Sequence, residues 1–152
     1  MPELPEVQSV VNYFRPFLLN QSINSIEHLN DYTNVFETHT PNELNKHVSN
    51  KKINQVWRRG KYIIIDVVNG HLCIHLRMTG QLQLGNSAND NPRHFTALIS
   101  LKNKSNIYFK DYRKFGRIYF FKNLDVLDSK LGPEPFDSSF NYKYLKTELR
   151  KS

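Results

Sequence analysis

A chain of 152 residues is long enough to fold as one domain around a real hydrophobic core. Its net charge of +7 and pI of about 9.5 favour a polyanionic partner. Cys73, the one cysteine, excludes an internal disulfide and a multi-cysteine zinc site within this sequence. No run approaches the ~18 apolar residues of a membrane span. The first apolar stretch is amphipathic and preceded by two Glu, unlike a signal peptide. A soluble, intracellular protein is expected.

The chain opens Met1-Pro2-Glu3-Leu4-Pro5-Glu6-Val7. Two readings are open. If Met1 is removed, Pro2 becomes a free secondary amine beside a carboxylic acid at Glu3, a unit suited to covalent catalysis through an iminium intermediate. Alternatively, the Pro residues begin a helix whose dipole favours the Glu side chains. Leu4, Val7, Val10, Val11, Phe14, Phe17 and Leu18 recur at helical spacing, so a helix is expected, ended or kinked at Pro16. A short strand follows over 22–29. Thr40-Pro41-Asn42-Glu43 carries the signature of a helix start, and that helix should run to Val48.

From Lys51 the pattern changes to strands. Residues 53–59, 62–68, 72–78 and 81–84 are β-branched or alternating, separated by Gly60, Asn69-Gly70 and Gly80. Asn69-Gly70 is a two-residue hairpin signal. Residues 95–101 and 107–110 flank the 103–106 turn, and 117–121 is a further strand. The polar segment 85–93 reads as a mobile loop. A helix is expected over 124–130, a stiff connector at Leu131-Gly132-Pro133-Glu134-Pro135, and another helix over 140–150. The predicted class is α+β, mainly β: a two-sheet antiparallel β-sandwich flanked by an N-terminal helix and short helices.

Three further clusters stand beside the Pro2-Glu3 start: Arg58-Arg59-Gly60-Lys61, His75-Leu76-Arg77-Met78-Thr79-Gly80, and Lys110-Asp111-Tyr112-Arg113-Lys114-Phe115-Gly116. With the Leu131 to Pro135 connector, this set resembles the formamidopyrimidine-DNA glycosylases and their endonuclease VIII relatives. That family shares the Pro-Glu-Leu-Pro-Glu-Val start and carries Arg-Arg-x-Lys, His-Leu-x-Met-x-Gly, Asp-x-Arg-x-Phe-Gly and Leu-Gly-Pro-Glu-Pro segments. The five motifs keep the family's order and nearly its spacing.

The resemblance implies a bifunctional DNA glycosylase/AP lyase of base excision repair, acting on double-stranded DNA with oxidised or abasic sites. Such enzymes flip a damaged base out of the stack. Pro2 would attack C1′ through its amine, with Glu3 as proton shuttle and Glu6 as a supporting carboxylate. Lys61, counted with this catalytic group, and His75 match positions that contact phosphates. Met78 would fill the void left by the lesion, Arg113 would face the orphaned base, and Phe115 would wedge beside it. Read without the resemblance, Phe115 is better explained as a core aromatic, whereas Met78, at a turn tip before Thr79-Gly80, fits a core methionine less well; Arg113 is a solvated loop residue, and Lys61 and His75 are an ordinary turn lysine and strand histidine. His94 stands where the family begins a strand with His-x-His, but Pro92 replaces the first His. Gln8 replaces the family's usual Glu, which removes a charge near the lesion pocket.

The resemblance also implies a monomer in the cytoplasm, associated with the nucleoid, and no cofactor or metal in this chain. The family's zinc finger and its helical domain would follow the residues given. Residues 1–135 are expected to form the catalytic β-sandwich, and 136–152 the connector and start of a helix leading to the helical domain. Two alternatives stay open: a catalytically inactive or truncated DNA-binding remnant of that family, and a basic β-sandwich that binds RNA or another acidic partner.

Overall fold

The computed structural model describes residues 3–125 and Leu127. The first helix, α1, spans Leu4–Leu18. Glu3 precedes it in extended backbone, and the Glu3 N–H donates to Glu6 Oε1 at 2.8 Å, which satisfies one of the free donors of a helix start. Val7, Val11, Phe14 and Leu18 form its buried face. Contrary to expectation, Pro16 does not end the helix. Lying in the last turn, it removes one internal bond, while burial of Leu18 and the Leu19 N–H to Arg15 carbonyl bond at 2.9 Å hold that turn.

The strand β1 covers Ile23–His28, followed by a 3₁₀ turn at Thr33–Val35. The second helix, α2, covers Pro41–Val48 and starts as its sequence predicts. Thr40 Oγ1 accepts from the Glu43 N–H at 3.2 Å, and Glu43 Oε1 accepts from the Thr40 N–H at 2.9 Å. Seven more strands follow: β2 Gln55–Arg59, β3 Tyr62–Val67, β4 Gly70–His75, β5 Gln81–Leu84, β6 Phe95–Leu101, β7 Asn106–Lys110 and β8 Arg117–Phe121.

They form two antiparallel four-stranded sheets, β1-β6-β7-β5 and β2-β3-β4-β8. The predicted sandwich is therefore the observed one. Ile26, Ala97, Ile99, Ile107 and Phe109 of one sheet share a core with Ile63, Ile65, Leu72, Ile74, Ile118 and Phe120 of the other. The buried face of α1 belongs to the same core, with the helix lying along β2.

Two local expectations are corrected. Asn69-Gly70 is not the hairpin loop: Val68 and Asn69 are, and Gly70 is a strand residue opposite Val67. Glycine is needed there for packing, because a Cβ would lie 2.5 Å from Phe120 Cζ and 2.8 Å from the Phe121 carbonyl oxygen. β4 ends at His75 rather than Met78, because Arg77 takes φ +56° and the chain turns back through a Gly80 N–H to Leu76 carbonyl bond at 2.9 Å. Segment 85–93 is a hydrogen-bonded loop. Asp90 accepts from the Ser87 N–H at 2.6 Å, Gln83 Nε2 at 2.7 Å and Lys110 Nζ at 3.2 Å, and the loop runs into a 3₁₀ turn at Pro92–His94.

The chain divides between Lys122 and Asn123. Of the helix expected over 124–130, Asp125 and Leu127 are helical, and Asn123 Oδ1 accepts the Asp125 N–H at 3.0 Å. Its remainder, the 131–135 connector, the 140–150 helix and the boundary expected at residue 135 lie outside the described residues. Among the described residues, no helix is long and apolar enough to cross a membrane.

The steric demand at Gly70 gives a direct test. Gly70→Ala should destabilise the fold by about 1–3 kcal/mol, because backbone as well as a ring must move to admit one methyl. Urea denaturation of the two chains measures this.

Candidate functional site

Strand register brings the sequence clusters to one end of the sandwich. In the second sheet, Arg59 pairs with Tyr62, Tyr62 with His75, and His75 with Arg117. In the first sheet, Lys110 pairs with both Gln81 and Phe95. Two loops cross between the sheets here: 76–80 from β4 to β5, and 111–116 from β7 to β8. The Gly60-Lys61 turn joins β2 to β3 at the same end. The helix start is drawn there too. Arg15 Nε donates to the Val56 carbonyl at 3.0 Å, and Arg58 Nε donates to Gln8 Oε1 at 3.2 Å. Earlier helix residues thus meet later strand residues, so α1 runs with its N-terminus toward the Lys61 turn. Arg58 Nη1 also donates to the Gly60 carbonyl at 3.0 Å, tying helix and turn through one guanidinium.

Asp111 fastens the two crossing loops. Its side chain is only 1% exposed. Oδ1 accepts from Thr79 Oγ1 and, at 3.2 Å, from the Arg113 N–H; Oδ2 accepts from the Gly116 N–H at 2.7 Å. One carboxylate therefore holds the turn bearing Met78 against the loop bearing Arg113 and Phe115. The Phe109 ring supports both. A Cβ on Gly80 would lie 2.7 Å from that ring, and one on Gly116 would lie 2.3 Å from it. Two glycines thus let both loops settle on one aromatic. Tyr32 and Arg117 add further anchors: the Tyr32 hydroxyl donates to the Lys114 carbonyl at 2.7 Å, and Arg117 Nη1 to the Lys114 and Gly116 carbonyls at 3.0 and 2.9 Å.

With the loop bases fixed, the tips face solvent. Met78 is 52% and Phe115 46% exposed, so neither is a core residue. Arg77 and Lys114, which immediately precede them, both take left-handed backbone, at φ +56° and +61°. Such a conformation costs a non-glycine residue about 1–2 kcal/mol, which the surrounding bonds must offset. Arg113 is exposed, with Cζ 5.3 Å from the centroid of the Phe115 ring.

His75 is held quite differently. Its Nδ1 accepts the Arg77 N–H at 3.0 Å, so a neutral ring carries its proton on Nε2. Burial lowers its pKa to about 4, helped by the Arg77 and Lys61 charges. The ring packs edge-on to Tyr62 at 4.8 Å between centroids. The Tyr62 phenol is raised to about 12, by burial first and then by Tyr119. Arg77 Nη2 donates to the Tyr119 hydroxyl at 3.3 Å. The end of this sheet therefore offers a neutral donor at His75 beside a cation at Lys61.

The expected site residues Glu3, Glu6, Lys61, His75, Met78, Arg113 and Phe115 thus lie on elements that converge at one end. Pro2 lies outside the described residues. Glu3 and Glu6 are exposed. Sequence reasoning did not single out Asp111, Thr79, Arg77, Tyr32 or Arg117 as positioning groups. The usable signal was the aspartate opening the Asp-x-Arg-x-Phe-Gly segment, a short acid ahead of a turn. Cys73, the one cysteine, is buried in β4 with its thiol pushed up to about 12, by burial first and then by Asp66. It is one thiol where a four-cysteine zinc site needs four.

Residues 1–118 match the family model described as the formamidopyrimidine-DNA glycosylase N-terminal domain. The chain belongs to that family. It is 36% identical over 157 residues to the formamidopyrimidine-DNA glycosylase of Pelotomaculum thermopropionicum, covering 99% of this chain and 56% of that protein. The Rickettsia felis protein of the same name is 37% identical over 153 residues, covering 98% and 54%. Among solved structures, the Lactococcus lactis Fpg bound to DNA with an abasic site superposes with a TM-score of 0.73 at 30% identity, over 86% of this chain and 48% of that one. MutM bound to DNA with a carbocyclic 8-oxo-G gives 0.74 at 30%, over 86% and 48%. The chain spans about half the length of the curated relatives it matches.

Two measurements check this geometry. Asp111→Asn replaces one acceptor with a donor facing a donor, so the chain should lose about 1–3 kcal/mol of stability in urea. The His75 ring should stay neutral, as the Nε2–H tautomer, down to about pH 4 in a nitrogen-detected NMR titration. Its pKa is lowered on folding. Above about pH 6.5 the ring is neutral in both states and contributes nothing to pH dependence. Between 6.5 and 4 the unfolded chain takes up a proton that the folded ring refuses, so stability should decline as pH falls through that window.

Proposed function

We propose that this chain supplies the catalytic half of a bifunctional DNA glycosylase/AP lyase that acts on duplex DNA carrying oxidised or abasic sites. One observation carries the reading: in a member of this family, exposed Met78 and the exposed Arg113–Phe115 pair stand on adjacent loops, fastened by one buried carboxylate, at the end toward which α1 starts. A wedge entering a duplex needs apolar tips that do not give way. Deeply anchored loop bases with exposed tips meet that need.

The chemistry follows from the start of the chain. Once Met1 is removed, the neutral Pro2 nitrogen attacks C1′ and the C1′–N bond to the base breaks. The base leaves with a proton, and the sugar ring opens to give an iminium between Pro2 and C1′. Loss of a proton from C2′ then expels the 3′ phosphate, and a second elimination expels the 5′ phosphate. Hydrolysis of the iminium frees Pro2. An ordinary α-amino pKa of about 7.7–8.0 leaves a useful neutral fraction at physiological pH. Glu3, exposed at the head of α1, moves the protons, and Glu6 supports it through the Glu3 N–H. Lys61 and His75 bind phosphates on either side of the flipped nucleotide, and Gln8 orients the Arg58 guanidinium behind them.

Borohydride treatment with abasic DNA should trap a covalent adduct on the wild-type chain, and an extra residue placed before Pro2 should abolish it. A chain shown by mass spectrometry to begin at Pro2, yet forming no adduct with DNA that it binds, would falsify the proposal. The two phosphate contacts should also separate by salt. Lys61→Ala should reduce the salt slope of DNA binding by about one. His75→Ala should weaken binding with the slope nearly unchanged, because the neutral ring displaces no counterion.

A further inference from the structure

His94 and Tyr112 have no part in the chemistry proposed for this chain, yet they adjoin its wedge. The Asp111 N–H donates to the His94 carbonyl at 2.7 Å, which ties the Pro92–His94 turn to the root of the 111–116 loop. Tyr112 follows the buried Asp111 and lies on the solvent side. At 63% it is the most exposed aromatic among the described residues. Its ring lies 6.0 Å from the His94 ring, tilted by 55°. A single exposed tyrosine would be unremarked. Here, however, Tyr112, Met78 and Phe115 are exposed together on two loops held by one carboxylate, with Arg113 and Lys114 between the aromatics.

Duplex DNA opened by a wedge loses stacking on both strands. Phe115 and Met78 can restore part of it where they enter. Tyr112 adjoins Arg113 in the chain, and Arg113 carries the contact proposed for the orphaned base. The tyrosine ring stands on the same loop as that contact, which under that reading brings the strand opposite the lesion within its reach. The surrounding charge is basic, and His94 backs one side of the ring. This pairing suits the π-face of a nucleobase, which an aromatic ring accepts with little regard to sequence.

We propose that Tyr112, backed by His94, is a stacking platform for an unstacked nucleobase in the strand opposite the lesion. The proposal rests on the DNA-binding reading of this end of the sandwich. Aromatic–base stacking of this kind changes affinity by about tenfold when the ring is removed.

The test uses the 152-residue chain and a duplex carrying a tetrahydrofuran abasic analogue opposite 2-aminopurine. Wild-type binding should change the 2-aminopurine fluorescence. Tyr112→Ala should bind about tenfold more weakly, lose the fluorescence change and keep the same salt slope, because no positive charge is removed. Tyr112→Phe should behave as wild type. Circular dichroism melts of the variants should match, since the ring is exposed. If Tyr112→Ala binds and reports like wild type, the stacking role is overturned and the glycosylase reading stands. Weaker binding by Tyr112→Phe at an unchanged salt slope overturns it in favour of a hydroxyl–phosphate contact. If the wild-type chain does not bind the duplex, both readings fall together.

Discussion

A buried carboxylate is costly unless its oxygens are fully used. At Asp111 the oxygens accept from one hydroxyl and two backbone N–H groups, drawn from both loops that cross between the sheets. This arrangement fixes the separation of the Met78 turn and the Phe115 loop. Without it, two exposed apolar tips would sit on independently moving loops, and neither left-handed residue, Arg77 nor Lys114, would have its strain offset. Phe109 beneath them, reached closely because Gly80 and Gly116 have no side chain, supplies the apolar floor. Carboxylate, ring and two glycines form one unit. Each is needed for the others to be tolerated.

The sheets decide where that unit sits. β4 ends beside the start of β8, and β5 starts beside the end of β7. Both crossings between the layers must therefore occur at the same end. The tight β2–β3 turn falls there as well, and the helix running along β2 completes the set. Four segments scattered over the sequence are brought to this end by the register, and the Thr79–Asp111 and Gln8–Arg58 bonds then fix them there. For the duplex deformation proposed for this chain, a β-sandwich with its loops clustered at one end is a rigid base. Deformation energy has to be met by contacts that do not yield.

Electrostatics at this end is graded rather than uniformly positive. Lys61 is a cation in a turn. His75, opposite Tyr62 on the neighbouring strand, is kept neutral by burial and by its cationic neighbours, with its tautomer set by a backbone N–H. Gln8 gives the Arg58 guanidinium an amide oxygen as its partner on α1. Under the proposed function, such a surface holds phosphates on long-range attraction from some groups and on directed donors from others. The second kind sets register without adding to non-specific binding.

Sequence alone determined the elements and the chemistry of their tips. The apolar face of α1, the capping box of α2 and most strand limits follow from local propensity and periodicity, which depend on near neighbours. The motifs could be read as a set because their residue types and order are fixed along the chain. What the sequence could not decide was whether Met78 and Phe115 were buried, since an apolar side chain at a turn fits a core as well as a wedge. Their exposure was settled by distant partners: Thr79 and Gly116 meeting on Asp111, and Gly80 and Gly116 meeting on Phe109. Likewise, Gly70 read as a turn residue until Phe120 and Phe121 packed against it, and Pro16 read as a stop until burial of Leu18 carried the helix past it. In each case a contact between residues far apart in the chain outweighed a local preference worth about 1–3 kcal/mol.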